Sequence, residues 1–298
     1  MLEVSRLSKS FLEKQAVDEL SFSIQPGESL GLIGQNGAGK TTTFRMLLGL
    51  MERTDGTIEW EGKKAHHLPL EQVGYLPEER GLFAEEQVEQ QLLFLAGLKN
   101  MSKKEARTSM AYWLEVFELE KEKKQKLNTL SKGNQQKIQL IAALVHRPDF
   151  LILDEPFSGL DPVNTDILKE AIQNLRRDGV TIIFSSHRME HVEEICDKLV
   201  MLKNGRDILS GRLGEIKERM DRNRIVAEAP CPPEEVRMWE GVQEVRTSGE
   251  KMHIYTDTKS RSQDILQQLF TYGDVRVFRM EPPSLEEIFK EKIGESDA

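Results

Sequence analysis

The sequence predicts an α/β fold in which buried parallel strands alternate with helices. Residues 150–153 (FLIL) form an uninterrupted apolar run, the pattern of a strand buried on both faces of a parallel sheet. Residues 180–184 (VTIIF) repeat this pattern, and the apolar run at residues 30–33 leads through a glycine-rich turn into a helical pattern at residues 42–48. Strands and helices that alternate in this way favour a parallel sheet covered by helices.

Composition limits the classes of function. A chain of 298 residues suits one large domain or two modest ones. The net charge of −9 argues against a nucleic-acid surface, so we expect no nucleic acid partner. Cys196 and Cys231 form neither a C-x-x-C motif nor a disulfide framework, which fits a reducing compartment. With no basic and apolar leader and no apolar run of about 18 residues, any membrane span is expected from another chain.

The N-terminal segment is predicted to form short strands. Residues 2–4 and 17–24 have strand patterns, separated by a polar turn and followed by Pro26-Gly27. Phe11 lies in that turn. Its ring is either core filler at a strand end or a surface that stacks on a nucleotide base, and this segment alone does not decide between the two.

Residues 34–41 (GQNGAGKT) match the phosphate-binding pattern G-x-x-x-x-G-K-[ST] and lie between a strand and a helix, as that pattern requires. Gly37 and Gly39 allow backbone angles that turn several N–H groups toward one anion, and the next helix adds free N–H groups and a positive dipole end. Lys40 would reach the terminal phosphates, and the Thr41 hydroxyl would bind Mg²⁺. The alternative, a glycine turn with a chance lysine, is disfavoured by the flanking strand and helix.

Two short strands follow the phosphate-binding pattern. Residues 56–62 alternate as a short antiparallel strand between two glycines. Residues 73–78 form another strand, which Pro77 stops, so that Glu78 is left at its end.

A mostly helical region is predicted from about residue 85 to 145. Its second helix opens with a capping box, Ser102 to Glu105, and the charged run at residues 120–126 is interpreted as a solvated helix end. One face of that second helix is assigned to the core. It carries Ala106, Met110, Trp113, Leu114 and Phe117.

Further polar residues follow predicted strands or begin a helix. Ser131 and Gly133 at a helix start can form an anion site, although these residues alone favour an ordinary N-cap. Asp154 and Glu155 follow a buried strand at the sheet edge where open α/β folds bind ligands. Buried adjacent carboxylates are costly when unpaired, so a bound cation is expected there, and a structural acid pair is the alternative. His187 should emerge at the same edge.

Taken in order, the motifs GQNGAGKT, LSKGN, LILDEP, SGLD and His187 resemble the nucleotide-binding subunit of an ABC transporter over about the first 215 residues. The resemblance implies a P-loop NTPase with a RecA-like core, an antiparallel β subdomain and a helical subdomain. It also implies that two such domains pair head to tail, so that the LSKGN segment of one meets the phosphate loop of the other across bound ATP.

Carried over by position, the resemblance implies a role for each motif. Phe11 would stack on adenine, and His187 would sense the γ-phosphate. Asp154 would anchor Mg²⁺, largely through water, while Glu155 would polarise the attacking water. Asp161 would tie hydrolysis to the dimer contact. The phosphates would be cradled by Gly34, Asn36, Gly37, Ala38, Gly39, Lys40, Thr41 and Thr42.

Two segments depart from the family pattern. The usual LSGGQ signature carries Lys132 and Asn134 here, but Ser131 and Gly133 remain, so the γ-phosphate contact is expected to survive. The usual glutamine after the short strand is Glu78. A carboxylate there still suits Mg²⁺, together with Thr41 and Asp154, but its charge changes the balance of the site.

The sequence predicts a nucleotide-binding domain at residues 1–215 and a small α+β domain at residues 222–298. The charged and polar residues 211–223, which overlap both bounds, are a candidate linker between them. The last helix of the α+β domain begins with a capping box formed by Ser284 and Glu287. This domain is similar to the C-terminal extension of ATPase subunits of ABC-2 type exporters, including those for drugs and sodium ions. The predicted strands and helix lie at residues 225–229, 242–247, 252–255, 275–280 and 260–270.

The resemblance implies a cytoplasmic ATPase, peripheral on the inner face of the cell membrane, that uses ATP and Mg²⁺ to drive a separate ABC-2 type permease as a homodimer or heterodimer. Two alternatives remain at this point. One is a weakly hydrolysing, nucleotide-gated regulatory module. The other is a soluble ABC ATPase not linked to transport, which the length and charge of the chain disfavour.

Overall fold

The computed structural model describes residues 1–12, 14–79, 81–219, 224–258 and 261–295. The chain divides into two compact units, Met1–Gly211 and Arg212–Ala298. Part of the predicted linker (residues 220–223), residue 222 at the predicted start of the second domain, and Ser260 at a predicted helix start lie outside the described residues.

A largely parallel sheet forms the centre of the first unit. Its strands pair in the order β10-β9-β3-β8-β7-β6, and every residue of β3, β7 and β8 is buried. This confirms the prediction drawn from the apolar runs. The bounds are β3 Ser29–Gly34, β6 Val73–Leu76, β7 Phe150–Leu153, β8 Thr181–Ser186, β9 Lys198–Lys203 and β10 Arg206–Arg212.

An antiparallel sheet packs beside it, with strands in the order β2-β1-β4-β5. Leucine, valine and isoleucine side chains of both sheets share one core with helix α1. Phe11 lies at the end of a strand and not in a turn, because pairing between β1 and β2 continues as far as Phe11 and Lys14. The bounds are β1 Leu2–Phe11, β2 Lys14–Ile24, β4 Asp55–Trp60 and β5 Lys63–Ala65.

Helices connect the strands of the first unit. The predicted capping box is confirmed: Ser102 and Glu105 begin α3, and the predicted apolar stripe of this helix is buried. The charged run at residues 120–126 is not a helix end, because α3 already stops at Val116 and the run forms a 3₁₀ turn and loop. The bounds are α1 Lys40–Leu47, α2 Val88–Leu98, α3 Lys103–Val116, α4 Lys132–Leu144, α5 Pro162–Arg177 and α6 Met189–Ile195.

The second unit is an α+β module around an antiparallel sheet in the order β12-β13-β11-β14. Ser284 N donates to Glu287 Oε2 at 2.8 Å and Glu287 N donates to Ser284 Oγ at 3.3 Å, which confirms the last capping box. No described helix in either unit has the length and apolar content needed to cross a membrane. The bounds are α7 Leu213–Arg219, β11 Arg224–Glu228, α8 Pro233–Val236, β12 Val242–Ser248, β13 Lys251–Thr256, α9 Ser262–Phe270, β14 Val277–Glu281 and α10 Leu285–Glu295.

Candidate nucleotide site

The glycine-rich segment forms a tight loop between β3, which ends at Gly34, and α1, which begins at Lys40. Gly39 has φ +111, and a Cβ at this position would lie 2.7 Å from the carbonyl oxygen of Ala16. Both the left-handed backbone and the close approach of β2 therefore require glycine here. The free N–H groups at the start of α1 consequently lie next to the loop, which suits an anion.

Lys40 places its charge inside this site. Its Nζ atom donates to Gly34 O at 2.8 Å and to Gln35 O at 3.4 Å. The same atom lies 3.6 Å from Glu155 Oε1, and both side chains are buried. Lys40 thus joins the phosphate loop to the acids that follow β7.

Asp154 and Glu155 are held at the end of β7 by Ser185, the fifth residue of β8. Ser185 Oγ donates to Asp154 Oδ1 at 2.6 Å and accepts from Glu155 N at 2.8 Å. Asp154 is fully buried, and neither its Oδ2 atom nor Glu155 Oε1 has a hydrogen-bond partner among the described residues. Sequence reasoning missed Ser185. The only signal for it was its place at the end of an adjacent buried strand.

Tyr75 on β6 is a second polar neighbour that the sequence did not single out. Burial raises the pKa of Tyr75 to about 12, and the charge of Asp154 adds to the effect, while Arg45 opposes it. The hydroxyl therefore stays protonated at neutral pH.

His187 follows β8 and reaches the acids from the other side. Its Nδ1 atom lies 2.8 Å from Glu155 Oε2. Glu155 is thus held between two nitrogen groups, His187 at one oxygen and Lys40 at the other. A carboxylate fixed in this way can direct one oxygen at a reacting group.

A cavity of about 500 Å³ collects most of the predicted site residues. Phe11 borders it with 44% of its surface exposed, and Lys9 Nζ lies 5.0 Å from the ring centroid. Lys14 and Ala16 also border it and were not predicted. The remaining lining residues are Asn36, Gly37, Gly39, Lys40, Thr41, Thr42, Glu78 and Glu155.

Of the predicted residues that do not line this cavity, Gly34, Ala38, Asp154 and His187 belong to the loop and sheet edge beside it, and the other three lie at the starts of α4 and α5. Ser131 caps α4 by accepting from Asn134 N at 3.2 Å, and Asp161 caps α5 by accepting from Asn164 N at 2.9 Å. A Cβ built on Gly133 would lie 3.0 Å from the side chain of Asn164, so these two caps are neighbours. Together they form one polar surface that is separate from the cavity.

The donors at the sheet edge fit Mg²⁺. Within the described residues, no group of three or more His, Cys, Asp or Glu side chains could hold a metal ion by itself. Mg²⁺ usually takes one or two carboxylates and completes its shell with phosphate and water oxygens. The unpartnered oxygen of buried Asp154, with Thr41 and Glu78 lining the adjoining cavity, suits such a shared shell.

A buried strand, a glycine loop, a lysine at the start of a helix and acids that follow another strand of the same parallel sheet define a P-loop NTPase. A family model described as ABC transporter matches residues 17–158, and one described as ATP-binding protein DrrA1-3-like, C-terminal domain, matches residues 211–293. The chain belongs to the ATP-binding proteins of ABC transporters, which are ATPases coupled to transport. The predicted family, fold class and enzyme class are therefore confirmed.

Individual relatives cover most or all of the chain. The ABC transporter ATP-binding protein YhaQ of Bacillus subtilis (strain 168) is 44% identical over 99% of this chain and 99% of its own length. Nod factor export ATP-binding protein I of Paraburkholderia xenovorans (strain LB400) is 32% identical over 98% of this chain and 97% of its own length. A solved ATP binding subunit of an ABC transporter has a TM-score of 0.68 and 33% identity, over 74% of this chain and 92% of that chain.

Proposed function

We propose that the chain hydrolyses ATP to power a separate ABC-2 type export permease, by pairing head to tail with a second nucleotide-binding domain. The observation that carries the catalytic part is that Glu155 lies between Lys40 and His187 beside the phosphate loop. Similarity to a Nod factor export protein over almost the whole chain, and the DrrA-like C-terminal part, support export. The complex works at the inner, cytoplasmic face of the membrane and contains two copies of this chain or one beside a relative.

The phosphate loop and Lys40 would hold the β- and γ-phosphates. Lys40 Nζ is buried against Gly34 O, so phosphate oxygens would replace carbonyl oxygens as its acceptors. Thr41, Glu78 and Asp154 would hold Mg²⁺, which when bound neutralises charge on the phosphates. Phe11 would stack on the adenine ring with the face that Lys9 leaves open.

Glu155 would accept a hydrogen bond from the attacking water. Its Oε1 atom has no hydrogen-bond donor among the described residues, while its Oε2 atom is fixed by His187. His187 therefore orients the carboxylate. A base positioned in this way contributes about 10²- to 10⁴-fold to a rate.

The surface formed by the caps of α4 and α5 would complete the site of a second domain. Ser131 and Asp161 are exposed, and neither lines the cavity of its own chain. Gly133 lies beside Asn164 on the same surface. Helix N-termini and hydroxyl groups suit a γ-phosphate that is held by a partner domain.

The permease would dock in an apolar groove of about 310 Å³ between α2, α4 and β6. Leu50 and Leu98 are 62% and 63% exposed and line the same groove, so they form one apolar patch of the kind that a partner covers. Pro77 lines the groove, and the next residue, Glu78, lines the nucleotide cavity. A partner in the groove is therefore one residue from the site of hydrolysis.

Co-expression with the permease tests this assignment. Leu98→Glu should abolish co-purification of a multi-span membrane partner, because it puts a charge in the apolar groove, and should leave ATP affinity unchanged. The matched control is Phe270→Glu in the second unit, at a position that is 59% exposed and outside the groove. Equal co-purification of both variants would rule out docking in this groove.

A further inference from the structure

The turn between β9 and β10 packs against the phosphate loop and β2, two segments that border the nucleotide cavity, although it belongs to none of the family motifs. It consists of Asn204, with φ +49, and Gly205, with φ +83. Two central residues with positive φ are typical of the tight turn that joins antiparallel strands. The Asn-Gly pair between two strand patterns predicts a hairpin at this place and nothing more.

Gly205 joins the phosphate loop to β2 through both of its backbone polar groups. Its N–H donates to Ala38 O in the phosphate loop at 3.1 Å. Its carbonyl oxygen accepts from Asp18 N on β2 at 2.9 Å. Strand β2 also carries Lys14 and Ala16, which line the cavity on the side of Phe11.

The packing around Gly205 leaves no room for a side chain at this position. A Cβ on Gly205 would lie 2.8 Å from Ala16 O, and a Cβ on Gly39 would lie 2.7 Å from the same oxygen. The carbonyl of Ala16 is therefore enclosed by the turn and by the phosphate loop. Arg206 Nε lies 2.6 Å from Asp18 Oδ2 and holds the turn to β2 from outside.

We propose, resting on the nucleotide site of the proposed function, that Gly205 is a positioning residue for ATP: it fixes the distance between the phosphate loop and β2, the strand next to the adenine base. ATP must contact the phosphate loop with its phosphates and the Phe11 side of the cavity with its base, whereas inorganic triphosphate contacts the phosphate loop alone. The bridge through Gly205 therefore favours the complete nucleotide over its phosphate part.

The variant Gly205→Ala tests this role against a matched control. Gly62→Ala has the same change in a turn of the same kind, since Glu61 and Gly62 have φ +52 and +74, but nothing lies within 4 Å of a Cβ at Gly62. Both variants carry the strain of a left-handed alanine.

Calorimetric titration measures the affinity of both variants for ATP and for inorganic triphosphate. Gly205→Ala should bind ATP about tenfold more weakly than Gly62→Ala does, whereas its affinity for triphosphate should be less than about threefold weaker than that of Gly62→Ala. Equal ATP affinity in the two variants, or an equal loss for ATP and triphosphate, overturns the proposal.

If Gly205→Ala lacks a cooperative unfolding transition, hydrogen exchange of the wild-type chain decides. Saturating ATP should slow exchange of the Gly205 and Asp18 amides, which make the two bridging bonds, and should leave the amide of Gly62 unchanged. Unchanged exchange at Gly205 and Asp18 overturns the proposal.

Discussion

Lys40 and Glu155 are 115 positions apart in the sequence, yet Lys40 Nζ lies 3.6 Å from Glu155 Oε1 in a buried site. The loop after β3 supplies the cation and the end of β7 supplies the carboxylate. Because β3 and β7 both run parallel to β8, which lies between them, their carboxyl ends and both side chains lie at one edge of the sheet. The same edge receives His187 from β8, and its Nδ1 atom lies 2.8 Å from Glu155 Oε2.

Lys40→Ala should abolish ATP binding, raising Kd at least about 100-fold, because it removes the buried cation that faces the phosphates and that lies 3.6 Å from Glu155 Oε1. Isothermal titration with ATP measures this change. Lys64→Ala, at an exposed lysine on β5, is the control and should bind like the wild type. An unchanged affinity in Lys40→Ala would contradict the assigned site.

His187→Ala should slow hydrolysis about 100-fold or more while ATP affinity stays within about threefold, because His187 orients Glu155 and contributes little to nucleotide binding. The ATPase rate at saturating ATP and a separate binding titration distinguish the two effects. A variant that loses affinity and keeps its rate would mean that His187 binds nucleotide and does not position the carboxylate.

Half-buried His146 and buried His191 predict how stability depends on pH. Burial lowers the pKa of His146 and of His191 to about 4 each. In the unfolded chain an imidazole titrates near 6.5, so the unfolded state binds more protons between pH 6.5 and 4. Stability is therefore full above about pH 6.5 and is lost as the pH falls, by about 2 kcal/mol per histidine at pH 5.

His146→Gln isolates one of these contributions. His146 Nε2 lies 3.1 Å from Val73 O, and a glutamine amide can donate to the same carbonyl without titrating. Urea unfolding at pH 7.5 and pH 5 should show that the variant loses about 2 kcal/mol less than the wild type. Equal losses in the two proteins would mean that His146 titrates normally in the folded state.

The buried strands and the phosphate loop could be predicted because each is encoded by neighbouring residues in the sequence. Buried strands appear as apolar runs, and the phosphate loop is contiguous in sequence. Ser185, Tyr75 and Gly205 were not predicted because each acts through a contact with a residue far away in sequence. Their own segments show only a strand end, a strand and a turn, so the folded structure is needed to show what they touch.

The most direct test is single-turnover hydrolysis by Glu155→Gln, measured with the permease present. The central claim is that Glu155 acts on the attacking water while Lys40 and its loop bind the phosphates. The variant should therefore bind ATP and form a dimer, which light scattering measures. It should hydrolyse ATP about 10²- to 10⁴-fold more slowly than the wild type. Hydrolysis at the wild-type rate would contradict the claim.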